Sequence, residues 1–295
     1  MSECSSGSCG GGGADKTSAK MKIQDEMIRS TLEKIKCKLF IMSGKGGVGK
    51  SSVSVNVAAA LAEKGFKVGI LDVDIHGPSV PTLLGLSGQL EVDRGSLVVP
   101  KEYNENLHVV SMESLLKDPD QAVLWRGPMK TSAIRQFISD VQWGELDFLV
   151  IDSPPGTGDE PMTVLKTIPE SLCVVVTTPQ EVSLTDVRKS VNFLQYAHAN
   201  ILGVVENMSG LVCPHCHQSI DLFKKGGGEE LAKKYGLNFL GRIPLDPATV
   251  VAGDLGTPVV LLKEDSFAKQ AFLDLAETIA EAAQQCFEAA STTHA

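Results

Sequence analysis

The chain has 295 residues, 43% of them apolar, with 27 Lys+Arg against 36 Asp+Glu for a net charge of -9. That length suits one large α/β domain or two smaller ones, and no uninterrupted apolar run approaches the ~20 residues that a membrane span requires. The acidic balance opposes generic attraction to phosphate backbones and anionic lipid, so neither nucleic acid nor a membrane is expected as a partner.

In chain order, residues 1–20 are rich in Gly and Ser and read as a flexible tail carrying Cys4 and Cys9. The opening MSECSSGSCGGGG lacks the apolar segment of a secretion signal. Met21 to Lys36 carries apolar residues at helical spacing and predicts a short helix. Strands are then predicted at Lys38–Met42, Lys67–Leu71, Leu107–Val110, Asp147–Ile151, Leu172–Thr177, Ile201–Val205 and Asn238–Ile243. Most are continuous rather than alternating apolar runs, as in parallel strands covered on both faces. Helices are predicted between them, at 51–64, 129–141, 183–199 and 229–235, with a long last one at 265–290. Repeated β-α units predict a doubly wound, mainly parallel α/β sheet flanked by helices, with residues 21–290 as a single domain.

Directly after the first strand comes Gly44-Lys45-Gly46-Gly47-Val48-Gly49-Lys50-Ser51, which satisfies G-x-x-x-x-G-K-[ST] at a strand-to-helix junction. Glycines let backbone N–H groups converge on phosphates, and the following helix adds its positive end. Lys50 is then expected to reach the β and γ oxygens, Ser51 to offer its hydroxyl to Mg²⁺, and Ser52 to complete the nucleotide contacts. The second strand ends in Leu71-Asp72-Val73-Asp74, where the two carboxylates are expected to share one face at the ligand crevice. One is suited to Mg²⁺ (Asp72) and the other to orienting the attacking water (Asp74). Phe148-Leu149-Val150-Ile151-Asp152 presents a carboxylate at a strand end, as a Walker-B aspartate is presented to Mg²⁺. The Ser153–Asp159 loop behind it, rich in Gly and Pro, fits a switch that senses hydrolysis. No Asn-Lys-x-Asp guanine reader occurs, which favours ATP; Asn207 and the loop Ile243–Pro247 are candidates for the adenine.

Seven cysteines are too few for a disulfide scaffold in a chain this long and point to the reducing cytoplasm. Cys213-Pro214-His215-Cys216-His217 is a C-x-x-C in a loop, suited to zinc or an iron–sulfur cluster but supplying half a ligand set. The alternatives are a cluster bridged between two chains, a zinc knuckle completed by His215 or His217, a redox pair, and structural thiols. A redox pair is disfavoured because the motif opens no helix. Cys37, Cys173 and Cys286 read as small core residues.

The string GKGGVGKS resembles the deviant phosphate loop of the ATPases that include MinD, ParA and the nitrogenase iron protein. In that class the early lysine, here Lys45, reaches the nucleotide across a dimer interface, which implies a homodimer. With DVDIHGPS, DSPPGTGD, ENMS, CPHC and RIPLDP in order, the chain from Lys38 to Leu262 resembles the Mrp/ApbC family of P-loop ATPases that assemble and carry iron–sulfur clusters. The resemblance implies a cytosolic homodimer in which Cys213 and Cys216 of each chain hold one [4Fe-4S] cluster. The cluster would come from a donor and pass to apo-proteins under the influence of ATP. Eukaryotic scaffold members carry four N-terminal cysteines, whereas this tail has Cys4 and Cys9, which argues against a second stable cluster within one chain. A MinD- or ParA-like positioning role is opposed by the acidic last helix. A nitrogenase-reductase-like electron carrier is opposed by the adjacency of the two cysteines, which lie in separate segments in that family.

Overall fold

The structure is a computed structural model that describes residues 12–74, 77–95, 97–115, 127–213, 216 and 218–293. The first half of the chain runs α1 (Gly12–Leu32), β1 (Ile35–Ser43), α2 (Lys50–Glu63), β2 (Val68–Asp72), α3 (Val80–Leu83), β3 (Glu91–Val92), β4 (Val98–Val99), β5 (Lys101–Asn104), β6 (Leu107–Ser111) and α4 (Gly127–Ser139). The second half runs β7 (Leu146–Asp152), α5 (Asp159–Thr167), β8 (Leu172–Thr177), α6 (Glu181–Tyr196), β9 (Asn200–Glu206), β10 (Leu211–Val212), β11 (Ser219–Ile220), α7 (Gly227–Tyr235), β12 (Phe239–Arg242), α8 (Pro247–Asp254) and α9 (Phe267–Thr293). The described residues build one eight-stranded sheet in the order β12-β9-β8-β1-β7-β2-β6-β5. Every neighbouring pair in it is parallel except the edge pair β5–β6.

The apolar character of β1 follows from its central place, with both faces covered. Leu39 and Ile41 enter the core layer under α2 and α9, while Phe40 and Met42 enter the opposite layer under α4, α5 and α6. Helix α2 is buried along most of Val53–Ala62 because it lies between the sheet and α9. In α9 the buried residues Ala268, Phe272, Leu275, Ala276, Ile279 and Ala283 recur at three- and four-residue spacing, the stripe of a helix with one face on a core. From β1 the chain moves to β2 on one side and later to β8 on the other, so a crevice opens at the carboxyl ends of the central strands.

All seven predicted strands are present, and two boundaries move for identifiable reasons. Ile35 and Lys36, assigned by periodicity to a helix, open β1, because Ile35 finds a ladder partner in Leu146 of β7 and becomes buried. Helix α1 starts at Gly12, inside the stretch that composition assigns to the tail, and ends at Leu32. Residues 14–20 contain no proline, so a helix docked on α4 through its C-terminal half propagates backward through them. Sequence reading misses β5, whose Lys101-Glu102-Tyr103-Asn104 is too polar to read as a buried strand, and it misses α5 and α8. Among the described residues no helix is long and apolar enough to cross a membrane. Cys4, Cys9, His76, His215 and His217 lie outside the described residues, and the side chain of Cys286 in α9 does too.

Phe272 is 1% exposed and fixes α9 against the layer below it. Phe272→Ala is expected to lower the unfolding free energy by about 3–5 kcal/mol, read from urea denaturation of the purified chain.

Candidate functional site

The chain leaves β1 at Ser43, turns through Gly44–Gly49 and enters α2 at Lys50. Gly49 caps α2 in the left-handed conformation at φ 78°, and a Cβ there would lie 2.3 Å from Asn207 Nδ2, so the position requires glycine. It offers no side-chain cap, which leaves the first amides of α2 available to an anion at the positive end of the helix.

Asp152, fully buried at the end of β7, gathers the loop around it. Lys50 Nζ donates to its Oδ2 at 2.6 Å, Ser51 Oγ donates to the same oxygen at 2.6 Å, and Ser54 Oγ donates to Oδ1 at 2.5 Å. Lys50 is itself 6% exposed, so this is a buried ion pair with its remaining lone pairs satisfied by hydroxyls. Ser51 and Asp152 present a hydroxyl and a carboxylate, the hard oxygen donors that Mg²⁺ takes, and the donor set therefore fits that ion.

The sheet register sets Asp72 beside Asp152. Desolvation first, and then the charge of Asp152, push the Asp72 carboxyl well above the ordinary carboxylate range. Its oxygens accept from Ser111 Oγ and from the backbone N–H of Asp74, both at 3.0 Å. The expected placement of Asp72 and Asp74 on one face is not found. Strand β2 ends at Asp72, which is fully buried and, like Asp152, does not itself line the cavity. Asp74, past the strand end, does line that cavity and accepts from Gly77 N at 3.1 Å.

The phosphate-side cavity measures about 670 Å³ and is lined by Lys45, Gly46, Gly47, Gly49, Lys50, Ser51, Ser52, Asp74, Pro155 and Glu160, among others. Lys45 is half-buried, and among the described residues its ammonium has no hydrogen-bond or ion-pair partner. A second cavity of about 310 Å³ shares Gly49 and Ser52 with the first and is walled by Leu83, Asn207, Ile243, Pro244, Leu245 and Thr249. There Asn207 Nδ2 donates to Val48 O at 2.9 Å. Thr249 Oγ1 is buried without a hydrogen-bond partner among the described residues, the mark of a polar atom awaiting a ligand. Asn207 and residues 243–246 of the loop that sequence reading offered for the adenine line this cavity, whereas Thr249 here, and Ser54 and Ser111 around the aspartates, were missed. Ser54 was legible as one helical turn beyond Lys50; Thr249 carried no signal.

Cys213 and Cys216 lie between β10 and β11, an antiparallel pair closed by Cys213 N donating to Gln218 O at 3.0 Å. Cys213 is half-buried, Cys216 is exposed, and neither lines the two cavities. Among the described residues, which leave out His215 and His217, no group of three or more Cys, His, Asp or Glu could hold a metal. Cys37 and Cys173 are buried core thiols, and burial pushes the Cys173 thiol up to about 12.

A glycine-rich loop between a parallel strand and a helix, with a buried lysine, a serine and a strand-end aspartate converging under it, defines a P-loop NTPase. A family model described as ParA, NUBPL iron-transfer P-loop NTPase, matches residues 34–280, and the chain belongs to that family. It is 49% identical over 259 residues to an iron-sulfur cluster carrier protein of Methanocaldococcus jannaschii, covering 88% of this chain and 89% of that protein. It is 47% identical over 253 residues to a Drosophila yakuba protein named cytosolic Fe-S cluster assembly factor Nubp2 homolog 2, covering 84% and 97%. Among solved structures, a nucleotide-binding protein from Archaeoglobus fulgidus in complex with ADP superposes with a TM-score of 0.72 at 39% identity, covering 82% of this chain and 95% of that one. The cell division ATPase MinD of Pyrococcus furiosus superposes with a TM-score of 0.61 at 26% identity, covering 83% and 98%.

The buried pair predicts its own energetics. Lys50→Ala leaves the Asp152 charge buried with hydroxyls alone and is expected to destabilise the nucleotide-free chain by about 3 kcal/mol. In a double-mutant cycle with Asp152→Ala, urea denaturation should give a coupling energy of about 1–3 kcal/mol, because the second change removes the charge that the first strands.

Proposed function

We propose that this chain is a slow Mg²⁺-dependent ATPase that carries a [4Fe-4S] cluster as cargo at a homodimer interface and hands it to apo iron–sulfur proteins. The observation that carries the reading is the cysteine hairpin, which sets two thiols three residues apart at the turn between β10 and β11, one exposed and one half-buried. Two such loops supply the four thiolates that the cluster takes. The names of the Methanocaldococcus and Drosophila relatives support the same cargo. A cytoplasmic location fits the reduced thiol pair and the cytosolic relative.

In this reading the amides of Gly46–Ser51 and the Lys50 ammonium bind the β and γ phosphates, and Ser51 and Asp152 hold Mg²⁺, which when bound offsets phosphate charge. Asp74, at the cavity wall, orients the water that attacks the γ-phosphorus as ADP leaves. Lys45, without a partner in its own chain among the described residues, reaches the nucleotide of the second protomer. Asn207, Thr249 and the walls of the smaller cavity receive the adenine. Asp72 supports Asp152 from behind.

Removing a group that acts mainly in the transition state lowers kcat without weakening ground-state binding. Asp74→Asn should therefore bind Mg-ATP like the parent by calorimetry and lose about a hundredfold or more in kcat. Lost affinity with unchanged kcat would reject that role. Lys45→Ala should reduce turnover and ATP-driven dimerisation more than binding.

The cargo is tested by anaerobic reconstitution with iron and sulfide, metal analysis and size measurement. About two irons per chain are expected, one cluster per dimer. Cys213→Ala or Cys216→Ala removes two of the four thiolates from the symmetric site, one per chain, and should abolish the cluster rather than halve it. A monomer holding one zinc per chain would overturn the reading.

A further inference from the structure

The four residues Glu206-Asn207-Met208-Ser209 join the end of β9 to the start of the cysteine hairpin. Glu206 is fully buried, and its carboxylate is occupied from both sides of that hairpin. On the near side Ser209 Oγ donates to Oε1 at 2.5 Å. On the far side the backbone N–H groups of Gly226 and Gly228 donate to Oε1 at 2.9 Å and to Oε2 at 2.5 Å. The Arg242 guanidinium stands 3.6 Å away and is shared with Glu229. One carboxylate thus holds both ends of the segment that carries Cys213 and Cys216.

The glycines at 226 and 228 are explained by the same contact. Gly226 has φ 91°, and a Cβ on Gly228 would come within 3.0 Å of the Glu206 Cβ, so only glycine lets the start of α7 approach the carboxylate this closely. The first amides of α7 then face a negative charge, the favourable polarity for a helix N-terminus.

The other side of the segment faces the nucleotide cavities. Asn207 holds the Val48 carbonyl of the phosphate loop, and a Cβ added at Gly49 would lie 3.6 Å from the Met208 Cε. Beyond Ser209, Gly210 O accepts from Leu245 N at 2.8 Å, which ties the hairpin to the loop walling the smaller cavity. Between the two anchors Met208 sits at φ 55°, a left-handed conformation that costs a residue with a side chain on the order of 1–3 kcal/mol. The anchors on either side enforce that conformation, since backbone strain persists only where its surroundings over-determine it.

We propose that Glu206 is a positioning residue that makes the cysteine hairpin respond to the nucleotide: while it grips Ser209, Gly226 and Gly228, a shift of the phosphate loop transmitted through Asn207 and Met208 moves the two thiols. Nucleotide exchange then changes how tightly the two hairpins grip the cluster. The proposal rests on the carrier reading above for its purpose, not for its geometry. By linkage, a nucleotide that alters cluster affinity obliges the cluster to alter nucleotide affinity by the same factor.

The test uses the full chain without cluster and Glu206→Gln, which keeps the shape but turns one acceptor into a donor facing backbone N–H groups. Hydrogen exchange of residues 209–228 is measured by mass spectrometry with and without saturating Mg-ATP. In the parent, Mg-ATP should change exchange of this segment by about fivefold or more. In Glu206→Gln that ratio should collapse towards unity while calorimetric binding of Mg-ATP is kept. A purely structural role would raise exchange equally in both states and leave the ratio alone, which would overturn the proposal. So would a parent whose segment ignores Mg-ATP. Ser209→Ala, which deletes one hydroxyl, should give an intermediate ratio; if Glu206→Gln fails to fold, a parent-like ratio in Ser209→Ala overturns the proposal by itself. On reconstituted protein, the ratio of cluster-transfer rates to an apo-acceptor with and without ATP should fall with the same variants. A parent that holds no cluster would strike the carrier reading, whereas the exchange ratio judges Glu206 independently.

Discussion

The buried carboxylate of Asp152 is the interaction on which the rest of the phosphate site depends. A charge with no exposure is tolerated only when paired and hydrogen-bonded, and three donors from the first turn and a half of α2 meet that demand. The consequence is geometric. Lys50, Ser51 and Ser54 must lie on one face of α2, α2 must begin at Lys50, and the glycine loop must turn tightly enough to place it there. The lysine side chain is thereby immobilised against Asp152 and Ser51 at the mouth of the helix.

Electrostatics also explains the unequal fates of the three aspartates. Register places Asp72 next to Asp152 in a medium that cannot easily support two charges, so Asp72 is pushed toward its protonated form and tied down by Ser111. Asp74 escapes by lying past the end of β2, at the cavity wall. Two residues of separation therefore divide a fully buried carboxylate from one that lines the cavity.

The cysteine hairpin is built on the opposite logic. It is a short antiparallel pair held at both ends by the grip of Glu206, with Cys213 half-buried and Cys216 exposed. In the proposed carrier reading, a cluster shared between two such loops suits cargo that must leave. The strained Met208 lies between the two centres, where backbone strain is retained only if its surroundings enforce it.

Much of this was legible in the sequence, because local patterns report what local physics enforces. The continuous apolar runs gave the parallel strands, since burial on both faces leaves no position for polar residues. The loop Gly44–Ser51 read as a phosphate cradle because its chemistry is carried by backbone amides adjacent in sequence, and the Cys213–Cys216 spacing read as half a ligand set for the same reason. Tertiary structure alone decided the extension of β1 back to Ile35, which a partner strand imposed, and the burial of Asp72, which register imposed. It also decided the pairing of Ser54 with Asp152, the orphan hydroxyl of Thr249, and the grip of Glu206 on glycines 20 and 22 residues away. Each of these depends on groups distant in the chain meeting in a medium of low polarity, and no window of sequence contains both partners.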